Sequence, residues 1–164
     1  RNLDGQITEA DMYLCHSKDP KVTMSWSNTL NWKNWDFGIT LRANLGNYVY
    51  NNFQAANSSI SATSSTPLSN LMSGVHLFND LGLKGVKSDY FIQNASFLRC
   101  DNISLGYTWS ELMNEKLRLR LYGAVQNPFV ITKYKGLDPE IFSGIDNNVY
   151  PRPVTFTLGV VAQF

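Results

Sequence analysis

The side chains best suited to binding chemistry stand together in a polar stretch near residue 50, where aromatic rings alternate with amides. An aromatic ring offers a flat apolar face, and an amide offers both a hydrogen-bond donor and an acceptor. Such residues could stack on and hydrogen-bond a sugar, contact a partner protein, or form a merely solvated loop. The predicted contact residues are Tyr48, Tyr50, Asn51 and Asn52.

A second candidate group consists of arginines and one tyrosine on the polar faces of predicted strands. These side chains could contact a substrate, or they could line a wall and bond to one another or to another part of the protein. Of these two roles, the structural one is favoured. The residues are Arg42, Arg118, Arg120 and Tyr122.

A third candidate site lies at the start of the chain, where residues 1–11 resemble an EF-hand-type calcium loop without its first residue. Its oxygen ligands would surround a tight turn at Gly5. A chain that starts inside a ligand loop is expected to have been cut there or to be described from there, and an ordinary Asp-Gly turn is the alternative. The predicted calcium ligands are Asn2, Asp4, Gln6 through its carbonyl, and Asp11.

No catalytic arrangement is evident. His16 and His76 are isolated from the cysteines, and no glycine-rich phosphate loop follows a strand. The carboxylates of Asp138 and Glu140 lie two residues apart in a loop, without a partner acid or base. The net charge of +1 gives no support for nucleic-acid binding. We therefore predict no enzyme, no organic cofactor and no nucleic-acid partner.

The elements that position these residues follow from an alternation of apolar and polar side chains, which is typical of β-strands. In the last segment, every second residue from Val154 to Phe164 is apolar, while the residues between are mostly small or polar. Each such segment approaches the length that a tilted strand needs to cross a bilayer, about ten residues. Five strands are predicted, over Val22–Trp32, Trp35–Leu45, Ile103–Trp109, Leu117–Val125 and Val154–Phe164.

The chemistry of the two faces favours a membrane β-barrel. One face of each strand carries aliphatic and aromatic side chains, which suits lipid, and the other carries Ser, Thr, Asn, Arg and Gly, which suits a water-filled lumen. Trp32, Trp35 and Trp109 all fall at one end of an up-and-down sheet, as expected for aromatic residues at a membrane interface. A secreted, soluble β-sandwich with a dockerin-like calcium loop is the alternative, because alternation alone also fits a sandwich.

Connection lengths predict the organisation of the chain. Residues 1–20 form the loop-like start, and 21–164 form the strands with two long polar loops at about 46–94 and 127–153. A short helix is expected within the first loop, over 67–81. Because short turns are periplasmic in outer-membrane barrels, the long loops are expected outside the cell. Five strands leave two open edges in lipid, so the rest of the barrel must come from elsewhere.

Several segments resemble a known family, the SusC/RagA-type TonB-dependent outer-membrane transporters of Bacteroidetes. The similarity covers nearly the whole chain in the family's order, although Cys100 and Asp101 replace basic residues that are expected there. The matching segments are Asn2–Asp11, Phe97–Thr108, Thr132–Glu140 and Tyr150–Gly159.

The resemblance implies an all-β fold, in which this chain forms the last strands of a barrel with about 22 strands and an N-terminal plug. It also implies a bacterial outer-membrane location in contact with lipid, and energy from TonB acting through a plug that this chain does not contain. The implied partners are the remaining N-terminal part of the transporter and a SusD-like surface lipoprotein. Oligosaccharides or oligopeptides are the implied substrates, and Phe164 resembles the barrel-assembly signal.

Overall fold

A computed structural model describes residues 9–57, 88–112 and 117–163. Most of these residues form strands, because the chain alternates apolar and polar side chains with a period of two. The first three calcium-loop ligands, the helix expected over 67–81 and Phe164 lie outside the described residues. The strands in chain order are β1 (Val22–Trp32), β2 (Trp35–Leu45), β3 (Tyr48–Tyr50), β4 (Ile92–Asn94), β5 (Phe97–Leu112), β6 (Leu117–Thr132) and β7 (Thr155–Gln163).

Five of these strands form one antiparallel sheet in the order β1-β2-β5-β6-β7. Neighbouring strands of this sheet are also consecutive in the chain, except that β3 and β4 come between β2 and β5. Strands β3 and β4 form a separate two-stranded sheet. This up-and-down order confirms the predicted all-β fold with antiparallel barrel strands. Both edge strands, β1 and β7, have one side without a neighbour among the described strands.

The observed strands β5 and β6 are longer than predicted, with 16 residues each. Strand β5 contains a bulge, because Thr40 pairs with Asn102 whereas Leu41 pairs with Cys100, which leaves Asp101 as an extra residue. The bulge reverses the alternation of apolar and polar residues, so the first residues of β5, from Phe97 to Cys100, did not fit the predicted pattern. Strand β6 continues to Thr132, and the following loop therefore begins later than residue 127.

The apolar face of the sheet is uncovered. On β7, Phe156 is 76% exposed and Leu158 is 85% exposed. Within the described ranges, no second large sheet packs on this face. A soluble sandwich would bury these side chains in its core, so the arrangement does not fit the sandwich alternative. No helix among the described residues is long and apolar enough to cross a membrane.

Aromatic side chains gather at the end of the sheet that carries the tight β1–β2 turn. Trp32 pairs with Trp35 across the hairpin, and the Trp35 ring lies 4.8 Å from the Tyr107 ring. The Tyr107 ring in turn lies 4.7 Å from Trp109. The three tryptophans therefore occupy one end of the sheet, while their role at a bilayer interface stays a prediction.

The opposite end of the sheet carries a small folded body, which we call the cap, made of residues 46–57, 88–96 and 133–154. It contains the β3–β4 ladder and the short helix α1 (Asn52–Asn57). Backbone hydrogen bonds tie its segments together, including Tyr50 N–H to the Gly144 carbonyl at 2.9 Å. Its buried side chains form a core of their own, consisting of Val49, Ala95, Tyr134 and Ile141.

Candidate functional site

The inner face of the sheet, opposite the apolar face, is polar along its length. Ser27 and Thr40 are cross-strand partners whose hydroxyl oxygens lie 3.0 Å apart. Arg42 and Asn44 share this face because they follow Thr40 at intervals of two along β2. The candidate polar groups on the described strands therefore lie on the inner face.

A group of ion pairs joins the inner face to the cap, and we call it the rim cluster. Arg42 donates from Nε to Asp101 at 3.0 Å and from Nη1 to Glu140 at 2.6 Å. Arg99 Nη2 donates to Asp138 at 2.7 Å. Three cations face three carboxylates, so the cluster is neutral overall. Its members are Arg42, Arg99, Asp101, Asp138, Glu140 and Arg152.

Local structure explains why these groups meet. The bulge at Asp101 brings this carboxylate to the inner face, beside Arg42. In the cap, the carboxylate of Asp138 accepts the backbone N–H of Glu140 at 2.9 Å, which closes a tight turn around the buried Pro139. The turn presents two acidic side chains to the arginines, so this acidic pair has a structural role.

Because the rim cluster is buried, each of its charges would destabilise the fold if it lost its partner. The side chains of Arg99, Asp138 and Glu140 are almost fully buried. Burial alone would raise the pKa of the Glu140 carboxyl, but hydrogen bonds from Arg42 and Arg152 outweigh it and hold that pKa below its usual value. Glu140 is therefore charged at neutral pH and is the anion shared by the surrounding arginines.

A second ion pair lies nearer the tight-turn end, and we call it the lower bridge. Arg120 on β6 donates to Asp36 on β2 at 2.5 Å, across the intervening strand β5. The bridge passes over Gly106, where any Cβ atom would collide with the Asp36 carboxylate and the Arg120 guanidinium. The Arg120 guanidinium also lies 4.9 Å from the Tyr122 ring. A side chain at position 106 would therefore have to displace the ends of the Asp36 and Arg120 side chains.

The predicted arginine group thus divides in three. Arg42 belongs to the rim cluster, and Arg120 and Tyr122 belong to the lower bridge. Arg118 is exposed, and its side chain makes no ion pair or hydrogen bond with the part of the chain that the structure describes. The structural role favoured for these residues agrees with the contacts of Arg42 and Arg120.

The predicted contact residues near position 50 all lie in the cap, where each has a partner inside the protein. The Tyr48 ring stacks on His16 with centroids 3.8 Å apart, and the Tyr50 ring packs edge-on against Phe91. Asn51 is buried and accepts the backbone N–H of Gln54, which starts α1.

Asn52 donates from Nδ2 to Asn147 at 2.6 Å and so links two parts of the cap. Burial raises the pKa of the Tyr50 phenol above its usual value. Three of the four residues therefore link parts of the cap, and Tyr48 joins the cap to the segment before β1, while ligand contact by them stays a prediction.

Sequence reasoning missed the pair that fixes the centre of the cap. The Tyr134 hydroxyl donates to the Asp146 carboxylate at 2.6 Å. Burial and the neighbouring carboxylate both raise the pKa of Tyr134 well above its usual range. Asp146 also accepts the backbone N–H groups of Asn148 and Val149. The two residues lie twelve positions apart in an irregular loop, so no spacing in the sequence marks the contact.

An open groove of about 330 Å³ lies where the cap, the rim cluster and the segment before β1 meet, and we call it the rim groove. Asn44 and Asn47 line this groove, but Oδ1 of each lies buried beneath its surface and has no hydrogen-bond partner among the described residues. The groove is lined by Lys18, Asp19, Pro20, Thr23, Arg42, Asn44, Asn47, Phe97, Glu140, Ile141 and Phe142.

Of the predicted calcium ligands, only Asp11 is described. It ends a short 3₁₀ turn over Glu9–Asp11. In the described ranges, no three His, Cys, Asp or Glu side chains are grouped as metal ligands would be. Calcium binding at the start of the chain therefore stays a prediction.

Comparison with known proteins identifies relatives along the whole chain. The chain is 44% identical to TonB-dependent receptor SusC of Bacteroides thetaiotaomicron over its full length, which covers 17% of that relative. It is 29% identical to TonB-dependent receptor P3 of Formosa agariphila over 98% of the chain and 18% of that relative. The chain thus spans about a sixth of the length of these curated relatives. No family model matches the chain.

Solved structures with a similar fold include those of RagAB, which is named as a peptide importer. The RagAB peptide importer in its closed-closed state superposes with a TM-score of 0.69 at 20% identity, over 98% of this chain and 20% of the other. The RagAB peptide transporter gives a TM-score of 0.68 at 22% identity, over 90% of this chain and 17% of the other. At this level of identity, the likeness shows the fold alone. The similarity to SusC along the whole of this chain places it in the SusC/RagA family of TonB-dependent receptors, as a C-terminal portion, and the superposition agrees with barrel strands.

Proposed function

We propose that the chain forms the closing wall of an outer-membrane importer that takes up oligosaccharides or oligopeptides. The observation that carries the proposal is the uncovered apolar face of the sheet, in a chain that is 44% identical to SusC throughout. An exposed apolar face opposite a polar one is what lipid on one side and a water-filled lumen on the other require. The relatives are named as receptors, which supports transport rather than catalysis.

The open edges of β1 and β7 support a larger particle. Unpaired strand edges carry backbone donors and acceptors that lipid cannot satisfy. In the proposed transporter, strands from the remaining N-terminal part of the protein pair with both edges, and a plug from that part receives the pull of TonB. The chain supplies the wall, and energy coupling belongs to the plug.

The cap supports an extracellular partner. It lies at the end of the sheet that carries the long connections, which in outer-membrane barrels is the extracellular end. The RagAB structures carry the name of a peptide importer. In the proposed transporter, a SusD-like lipoprotein covers the extracellular mouth and contacts the cap. The internal bonds of the cap would offer such a partner a preformed surface.

Extraction of the full-length protein from its native membrane in mild detergent tests the proposal. We expect a particle much larger than this chain, which contains the remaining strands and a lipoprotein. Cells that lack the gene should lose uptake of a labelled oligosaccharide or oligopeptide and regain it on complementation. A protein that is monomeric and monodisperse in plain buffer, with no loss of uptake on deletion, would contradict the importer.

A further inference from the structure

The tight turn between β1 and β2 holds a lysine in a backbone conformation that favours glycine. Lys33 has a φ of 54°, in the left-handed region, where a Cβ atom is disfavoured. The turn is fixed from β5, because the Asn34 carbonyl accepts the backbone N–H of Thr108 at 2.9 Å and the Asn34 amide donates to the Tyr107 hydroxyl at 3.4 Å. Residues kept in such conformations cluster at functional sites, which indicates a function for the lysine side chain at this position.

The Lys33 side chain lies beside the apolar face of the sheet. Its ammonium group is 5.3 Å from the centre of the Trp32 ring, and Trp32 belongs to the alternating apolar set of β1. That ring is 67% exposed, and its cross-strand partner Trp35 is 43% exposed. A positive charge therefore lies next to two exposed aromatic rings at the end of the face that suits lipid.

The donors of these three residues have no acceptor within the described part of the chain. Lys33 forms no ion pair with the described residues, and neither indole N–H donates a hydrogen bond to them. On the inner face, by contrast, carboxylates bind the guanidinium groups of Arg42 and Arg120. One positive charge and two N–H donors complement an anion that carries several acceptor oxygens, such as a phosphate.

We propose that Trp32, Lys33 and Trp35 form a binding site for the headgroup of an anionic phospholipid, and we call it the turn site. The lysine ammonium binds the phosphate, the indole N–H groups donate to its oxygens, and the acyl chains follow the exposed apolar face of β1 past Leu30. A zwitterionic phospholipid suits the site less, because its own cation already neutralises its phosphate. This proposal rests on the proposed importer function, which puts the apolar face in lipid, and it names the lipid class bound at the tight-turn end.

The test uses the full-length transporter in phosphatidylcholine bilayers that contain a minor fraction of brominated phosphatidylglycerol or, in a matched sample, of brominated phosphatidylcholine. Bromine quenches the fluorescence of a nearby tryptophan, and the difference between the wild type and Trp32→Phe isolates the contribution of Trp32. We expect phosphatidylglycerol to be enriched about fivefold at Trp32, the effect of one lysine near an anionic headgroup. Added salt should reduce the enrichment, because an exposed charge is screened.

Variants at position 33 separate lipid binding from a structural role. Lys33→Gln removes the charge and should abolish the enrichment, whereas Lys33→Arg should retain it. Lys33→Gly also removes the charge but relieves the left-handed backbone, so it should lose the enrichment while its melting temperature equals or exceeds that of the wild type. A Lys33→Gly protein that melts earlier and keeps the enrichment would show that the lysine serves the turn alone, which would overturn the proposal.

The matched control is Lys135→Gln. It removes the same charge from an exposed lysine of the cap, at the opposite end of the sheet, and should leave the enrichment at Trp32 unchanged. An equal loss in this control and in Lys33→Gln would show that net charge rather than the turn site attracts the lipid, and would overturn the proposal.

Failure of the turn site and failure of the importer give different results. Equal quenching of Trp32 by the two brominated lipids would overturn the site, as would an enrichment that persists in Lys33→Gln. In both cases Trp32 still lies in the bilayer, and the proposed importer function survives. If neither lipid quenches Trp32, the apolar face does not contact lipid at this end, and the importer proposal itself fails.

Discussion

The rim cluster and the lower bridge are both ion pairs on the inner face, yet they differ in burial. In the rim cluster, Glu140 is 6% exposed and meets three arginines, whereas the lower bridge joins Asp36 and Arg120 at 27% and 36% exposure. A buried charge depends on its partners, because removal of one leaves another without solvent. A partly exposed pair keeps water as an alternative partner. Separating the charges of the rim cluster therefore costs more free energy than separating those of the lower bridge.

Replacement of Glu140 by alanine should have the largest effect on this comparison. It leaves the buried Arg99 and the half-buried Arg42 with fewer carboxylates, and the cost of breaking a buried pair is about 3–5 kcal/mol. We expect the cap to open locally, so that the backbone amides of Tyr50 and Asp146 exchange hydrogen at least about a hundredfold faster. Unchanged exchange at these amides would show that the cluster does not hold the cap.

Acid should reproduce part of this effect without a mutation. Because the pKa of Glu140 is lowered in the folded protein, its contribution to stability is complete above its ordinary value of 4.5 and is lost as the pH falls through the folded value. The protection of the same amides, measured against the intrinsic exchange rate at each pH, should therefore fall below about pH 4.5. The variant Glu140→Gln should flatten this acid dependence, and a wild-type pH profile in that variant would contradict the assignment to Glu140.

Gly106→Ala tests the lower bridge by sterics rather than charge. The new methyl group would displace the ends of both partner side chains and force the bridge apart, at a cost of at most about 1 kcal/mol because the pair is partly exposed. We expect a lower melting temperature of the full-length protein in detergent. Gly123→Ala is the matched control, since its Cβ would meet a Leu158 methyl group at 3.3 Å and no charged group. Equal effects of the two substitutions would show that crowding by the bridge is unimportant.

Asp36→Asn should have the smallest effect. It removes the charge of a partly exposed pair, and such pairs contribute about 0–1 kcal/mol. We expect a shift in melting temperature near the limit of detection, smaller still at high salt. A loss as large as that of Glu140→Ala would abolish the difference between the two regions.

The regular part of the fold was predictable because one period of alternation describes it. The bounds of β1 and β2 agree with the prediction at both ends, since neither strand contains an irregularity. Of strand β5, only the segment after the bulge, Ile103–Trp109, was predicted, because the extra residue at Asp101 reverses the alternation. In β6, Asn127 adopts a positive φ of 50° and Pro128 follows it, and both residues resemble the start of a loop.

The candidate site was less predictable, because long-range contacts define it. Arg42 was identified as an inner-face residue, but its partner Glu140 is 98 residues away in the chain. Asn44 was placed on the polar face of its strand, yet nothing in the sequence distinguishes its amide from that of Asn102. The cap residues Tyr48 and Asn51 were predicted to contact a ligand, and the structure gives Tyr48 a partner in the segment before β1 and Asn51 a partner inside the cap.

The bulge at Asp101 has a consequence for how β5 tolerates changes in length. Its two halves are out of phase by one residue, so Arg99 and Asn102 share the lumen side although they are three positions apart. Loss of residue 101 would bring the halves into phase and leave every other side chain on its present side. A deletion between Asn102 and Trp109 would instead exchange the two sides of the residues on one side of it, and would move polar side chains to the apolar face. Position 101 is therefore a place in β5 where the strand can become one residue shorter while its side chains keep their faces.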